Sequence, residues 1–164
     1  MAVEFQDYSF KVKSAISDAM LSFLYEAAGE IEAQTKRNID VSKRVDTGET
    51  KGAWGYVVKD TAEGTEAVIG NPSENAIWDE FGTGEYALNN DGRRTPWFVP
   101  VIGYKGKKKP TYDGKVVIVY GKDKRQYYKT NGKKPIRAFT KAFHSLRPKI
   151  ETRAGQILQE RLGK

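Results

Sequence analysis

The chain has 164 residues, 38% of them hydrophobic and 30% charged, with a formal net charge of +7, one histidine and no cysteine. That length suits one domain able to bury roughly two thirds of its unfolded surface; the missing cysteines exclude a disulfide framework or a thiolate site, and the lone His144 cannot build a histidine metal centre. No apolar run approaches the roughly 20 residues of a membrane span, and Met1 to Phe5 lacks the basic and apolar regions of a signal peptide, so the expectation is a protein that stays where it is made and has no membrane partner.

Val3 to Phe5 reads as a short edge strand, after which Asp7 or Ser9 caps a helix predicted to run to about Arg37. Val12, Ile16, Ala19, Met20, Phe23, Leu24, Ala27 and Ile31 recur at three- and four-residue steps as one apolar stripe. Such a helix spans roughly 40 Å, the width of a compact domain of this size, and is the expected spine of the fold. From Asn38 to Gly52 the pattern turns polar, with Val45-Asp46-Thr47-Gly48 standing out. Asp-Thr-Gly is the nucleophile triplet of aspartic proteases. Glu49-Thr50-Lys51 is polar where those enzymes carry small apolar residues, and long helices do not suit their all-β fold, so an Asx- or ST-type turn opening the next element is preferred. Trp54 to Lys59 and Thr65 to Ile69 are predicted strands of a hairpin, with Gly64 in the turn and Gly70-Asn71-Pro72 closing it.

The stretch from Ala76 to Ala87 is the one the remainder is organised around. It begins as helix, with Ile77, Trp78 and Phe81 expected to form a short buried plug, and Gly82-Thr83-Gly84 stops it because glycine takes the positive φ that ends a helix. Asp79 and Glu80 point about 100° apart on a helix, so they are expected to be solvated or neighbour-pairing carboxylates rather than a general acid/base pair. Asn89 to Gly92 is a turn, and Trp97 to Ile102 is a predicted strand that Pro96 and Pro100 confine to a sheet edge or bulge.

Tyr104 to Arg137 holds twelve Lys/Arg against two Asp, a local charge of +10, which leaves 16 basic and 19 acidic residues elsewhere, or −3. The asymmetry points to an anionic partner or to a neighbouring subunit whose acidic face meets this basic one. Lys105 to Lys109 and Lys122 to Arg125 flank Val116 to Tyr120, with Pro110 to Gly114 as the predicted turn of a protruding basic hairpin over about 104–134. Five consecutive apolar residues want cover on both faces, from a packed sheet or another chain. Tyr104, Tyr112, Tyr120, Tyr127 and Tyr128 interleave with lysines as in stacking and backbone contact with nucleic acid, although tyrosine also simply forms strands and lysine also protects edges. The candidate interface or DNA-facing residues are Lys105, Lys107, Lys108, Lys109, Lys122, Lys124 and Arg125. Pro135 opens the last element, whose Ile136, Phe139, Ala142, Phe143 and Leu146 share one face; Pro148 is predicted to kink or break it before Ile150, Ala154, Ile157, Leu158 and Leu162 resume the stripe. His144 falls on the side away from Phe139 and Phe143 and is expected at the surface. Gly103 to Lys107 lacks the spacing of a phosphate loop, and no Gly-x-Ser-x-Gly elbow accompanies the single histidine, so no catalytic, metal or cofactor residue is expected.

Taken in order, these motifs resemble the neck or tail-component proteins of long-tailed bacteriophages, which sit between the portal end of the head and the tail. The similarity rests on Val45-Asp46-Thr47-Gly48 after a long first helix, then a hairpin, then Ala76 to Gly84, where the family shows alanine-x-aromatic-x-Glu-Phe-Gly-Thr. Pro96-Trp97-Phe98-Val99-Pro100 and an amphipathic last helix opened by Pro135-Ile136-Arg137-Ala138-Phe139 complete it, so it covers most of the chain. Two departures are Glu49-Thr50, where a basic residue and leucine are usual, and Tyr104 to Lys134, which is longer than the family's link into the last helix.

The resemblance implies one α+β domain over residues 1–164, with the N- and C-terminal helices packed on a small, mostly antiparallel sheet. It implies a structural virion protein, made in the host bacterial cytoplasm, that forms a sixfold or twelvefold ring for head-to-tail joining or tail completion around the DNA passage. Its partners would be its own copies, adjacent head-completion and tail-tube or tail-terminator proteins, and packaged DNA by non-specific contact, with no enzyme activity and no cofactor. The residues implied in fold or assembly are Asp46, Thr47, Gly48, Trp78, Glu80, Phe81, Gly82, Thr83 and Gly84. A free-standing basic nucleic-acid-binding protein is the second reading, and an aspartic protease the third.

Overall fold

The first helix, α1, runs from Ser9 to Val41, a turn beyond its expected end. The computed structural model describes residues 9–45, 47–61, 64–100, 117–120, 122 and 126–162, with 9–16, 117–119 and 161–162 described by backbone alone. The extra length follows from Ile31, Thr35 and Ile39, buried at four-residue steps. Thr35 is tolerated there because its hydroxyl donates to the carbonyl of Ile31 at 2.7 Å. The helix is about 50 Å long, and it closes where the Ser42 amide donates back to Asn38 and Ile39.

A single turn, α2 (Glu49–Gly52), follows, opened by Gly48 at φ 83°. The Glu49 amide donates to the Thr47 hydroxyl at 3.3 Å, the ST-type turn expected here, while Asp46 lies outside the described residues. Strands β1 (Gly55–Thr61) and β2 (Gly64–Gly70) pair antiparallel, as expected, in the register Val57↔Val68. Alternation leaves Tyr56, Val58, Ala67 and Ile69 half-buried and puts Val57 and Val68 outside, opposite each other. The hairpin packs on α1, where Tyr25 meets the Tyr56 ring edge-on.

Next come α3 (Glu74–Phe81), β3 (Thr83–Gly84), β4 (Trp97–Pro100), β5 (Val117–Tyr120), β6 (Gln126–Thr130), β7 (Gly132–Lys133) and α4 (Ala138–Leu162). The fold is α+β. Instead of the single sheet expected, three small antiparallel ones form: β1-β2, β3-β7 and β4-β6-β5. β4 is an edge strand, as Pro96 and Pro100 require. β6, which the tyrosine-lysine pattern disguised as a binding segment, is the centre of its sheet, and it buries Tyr128 and Thr130. β5 pairs with β6 up to Tyr120↔Gln126. Val3 to Phe5 and the hairpin turn expected at Pro110 to Gly114 lie outside the described residues.

Helices α1 and α4 lie antiparallel. Asn38 Nδ2 donates to the Ala138 carbonyl at 2.9 Å, Lys149 pairs with Glu30 and Arg153 with Glu26, so the partner numbers fall on α1 as they rise on α4. Both ion pairs are largely exposed and contribute at most about 1 kcal/mol each. Small side chains on both helices are buried, Ala27 and Ala28 on α1 and Ala138 and Ala142 on α4, and Phe23 and Ala27 line the gap opposite Ile150. At the α4 N-terminal end Ile39, Ile136 and Ala138 cluster with Val45 and Trp54, and the Trp54 ring stacks on Phe139 at 5.4 Å. Of the kink or short break expected at Pro148, the break does not occur: α4 runs through that residue as one helix. The carbonyl that Pro148 leaves without an amide partner belongs to His144, which is exposed, so water can replace the bond. Just before Pro148, the Arg147 guanidinium is held above its ordinary pKa by the hydrogen bond and charge of Glu151.

Because Ala142 is wholly buried, Ala142→Leu overpacks its site and is expected to cost about 1 to 3 kcal/mol. A thermal melt should fall by roughly 2 to 4 °C per kcal/mol; an unchanged midpoint would mean that α4 does not pack there.

Candidate functional site

Helix α3 is built inside out. Glu74, Ile77, Trp78 and Phe81 follow the three- and four-residue spacing of one helix face, and that face is outside. Ile77 is 61% exposed, Trp78 48% and Phe81 46%; Leu88, whose amide donates to the Phe81 carbonyl at 2.9 Å, is 44% exposed. The buried face carries Ala76 and Glu80, the latter only 8% exposed. The expected apolar plug is therefore overturned: the charged residue is inside and the aromatic residues are outside.

The start of α4 supplies the reason. The first amides of a helix have no partner within it, and a side-chain acceptor at the N-cap normally takes those of the second and third residues. At α4 the N-cap position is Arg137, whose carbonyl accepts the Lys141 amide at 3.0 Å. Arginine has no acceptor to offer. Glu80 supplies one from α3: its carboxylate accepts the Phe139 amide at 3.1 Å, the Thr140 amide at 2.8 Å and the Thr140 hydroxyl at 2.5 Å. Three charge-assisted bonds and the positive end of the α4 dipole offset the cost of burying the charge.

The residues around Glu80 tie the same two segments together. The Asp79 carbonyl accepts the Ile136 amide at 2.6 Å, and its carboxylate pairs with Lys133. Asp79 and Glu80 thus each have a structural partner distant in sequence, rather than water or each other. Gly82 ends α3 at φ 77°, the positive φ expected of it, and a Cβ there would come within 2.7 Å of the Tyr86 carbonyl. Thr83 accepts the Lys133 amide on its hydroxyl at 3.0 Å. Gly84 crosses Gly132 so closely that a Cβ on it would stand 2.0 Å from the Asn131 carbonyl oxygen. Glu80 to Gly84 is a clasp on residues 131–140.

No family model, curated protein or solved structure matches the chain. Among the other residues singled out in the sequence, Thr47 and Gly48 make the turn into α2, and Lys122 is exposed. Lys105, Lys107, Lys108, Lys109, Lys124 and Arg125 lie outside the described residues, as does Asp46. Tyr128 is buried and cannot stack on a base, whereas Tyr120 is 71% exposed. Among the described residues no group of three or more acidic or histidine side chains could hold a metal ion, and no helix is long and apolar enough to cross a membrane. A cavity between α1 and α4, lined by Phe23, Ala27 and Ile150 among others, has about 10 Å³, too little for a ligand. Thr140 and Lys133, the partners that define the clasp, went unnoticed in the sequence; the hint was that Pro135-Ile136-Arg137 opens a helix without Ser, Thr, Asp or Asn to cap it.

Glu80→Ala leaves the two amides and the hydroxyl without an acceptor and is expected to cost about 2 to 4 kcal/mol, while Phe81→Ala, on the exposed face, should cost less than about 1 kcal/mol. Denaturant titration of the two variants tests the order. Phe81→Ala proving the costlier would put the aromatic ring back in the core.

Proposed function

We propose that the chain is a structural subunit of the neck or tail of a long-tailed bacteriophage, assembled as a ring that joins tail to head around the DNA passage. The observation that carries this reading is the inverted burial of the very segment on which the resemblance rests. Ala76 to Gly84 spends both its charged residues, Asp79 and Glu80, on internal architecture and presents Ile77, Trp78 and Phe81 to the outside. Half of the ten buried apolar residues are alanines, while thirteen large hydrophobic residues are exposed among the described ones. Scattered exposed apolar side chains are ordinary, but a row of them on one helix face marks a contact surface. A structural role also suits carboxylates that are already occupied.

Nucleic-acid binding is the second reading, favoured by Tyr120, Lys122 and Lys129, which are exposed in and beside the β4-β6-β5 sheet. The buried Tyr128 removes one of its stacking residues.

Gold-labelled antibody against the chain, applied to phage particles from the producing strain, should mark the junction of head and tail. Particles that join normally and carry no label, together with a purified protein whose affinity for duplex DNA falls steeply with salt, would support the second reading instead.

A further inference from the structure

We propose that Asn131 is a site of spontaneous covalent modification, deamidation through a cyclic imide, which Thr130 and Glu85 hold in check while the clasp is closed and which proceeds when it opens. One dipeptide and its surroundings carry this, whatever the chain's role in an assembly.

Six asparagines occur in the chain, and Asn131 is the only one followed by glycine. The fold demands that glycine. Gly132 has φ 132°, and a Cβ on it would stand 2.1 Å from the Thr83 carbonyl oxygen, so the crossing of β3 and β7 admits no side chain there. Asparagine is among the thermally labile residues, and it is most so before glycine, where no Cβ shields the next backbone nitrogen. The Gly132 nitrogen gives up its proton to water and bonds to Cγ of Asn131; the Cγ–Nδ2 bond breaks, and that nitrogen leaves as ammonia. Water then opens the five-membered imide at either carbonyl. One opening leaves aspartate in a normal chain, the other isoaspartate, whose main chain runs through Cγ. The only co-reactant is water.

Asn131 is exposed, between β6 and β7, whereas Gly132 is buried. Both reacting groups are engaged. The Gly132 amide donates to the buried Thr130 hydroxyl at 3.1 Å, and Nδ2 of Asn131 donates to the Glu85 carboxylate at 3.1 Å. The Asn131 carbonyl accepts the Glu85 amide at 3.0 Å, which fixes the backbone on either side of the contact. Attack requires the amide to leave Thr130 and the carboxamide to leave Glu85, so the β3-β7 bridge has to open locally first. Either product puts a carboxylate where the carboxamide had donated to Glu85, which sets two like charges against each other. Isoaspartate also displaces the carbonyl that accepts the Glu85 amide. A clasp that stays open long enough to react therefore does not close again as before, and the modification is a permanent record of opening.

The unmodified chain is kept at mildly alkaline pH, folded and in urea, and peptides spanning Asn131 are followed by mass spectrometry, with enzymatic methylation of isoaspartate to distinguish the two products. Asn131 should convert at least about tenfold more slowly in the folded chain than in urea. Thr130→Val should speed conversion of the folded chain by roughly fivefold, the worth of one hydrogen bond. Because Thr130 is buried, circular dichroism checks that this variant folds; Glu85→Ala, at an exposed position, should also speed conversion, and it decides alone if Thr130→Val does not fold. Asn131→Asp, which makes one product directly, should lower the thermal midpoint, and adding Glu85→Gln should restore it. Equal rates in the folded chain and in urea would overturn the proposal, as would folded variants that react no faster than the unmodified protein, or an Asn131→Asp chain as stable as the original.

Discussion

Helix α4 starts with no acceptor of its own, and the fold depends on Glu80 reaching across from α3 to supply one. An arginine at the N-cap cannot accept a hydrogen bond, so the amides of Phe139 and Thr140 are met by a carboxylate 59 and 60 residues earlier in the chain. Burying a carboxylate is ordinarily costly, and it becomes acceptable only where several donors and a helix dipole converge. That convergence fixes which way α3 is rolled. Once Glu80 points inward, the helical period puts Trp78 about 160° round the helix, facing outward, and Phe81 about 100° round, on the flank. The exposed aromatic face is thus tied to the cap, and the body of the fold holds it in place.

The frame around the cap is correspondingly spare. Both α1 and α4 bury alanines, and a few larger residues, Ile39, Ile136 and the Trp54-Phe139 stack, anchor the end where the clasp sits. Backbone hydrogen bonds to Asp79, the β3-β7 bridge and the close crossing of Gly84 over Gly132 hold α3 against the entry of α4. Polar contacts thus keep the parts of the fold in register, while large apolar side chains stay at the surface.

The sequence made some of this legible and not the rest, for identifiable reasons. Regular apolar periodicity located α1, the β1-β2 hairpin and α4, and proline placement put β4 at an edge. Periodicity ended α1 too early because Thr35 reads as polar, whereas a hydroxyl that bonds the carbonyl one turn back is buried without penalty. β6 was obscured by the lysines among its tyrosines, although alternation along Gln126 to Thr130 buries Tyr128 and Thr130. Gly82 and the turn at Thr47 were readable because positive φ and side-chain turns are local chemistry. The role of Glu80 was not, since hydropathy assigns charge to the outside and the donors that reverse this lie in another helix.

Amide hydrogen exchange at Phe139 and Thr140 tests the cap most directly. First-turn amides of a helix without an acceptor exchange readily, because nothing in the helix holds them. The account expects both amides to be protected about as strongly as those in the middle of α4, and to lose that protection in Glu80→Gln to a greater degree than the mid-helix amides do. Exchange of both at the rate of an open helix end in the unmodified protein would contradict it, and with it the reason given for the outward face of α3.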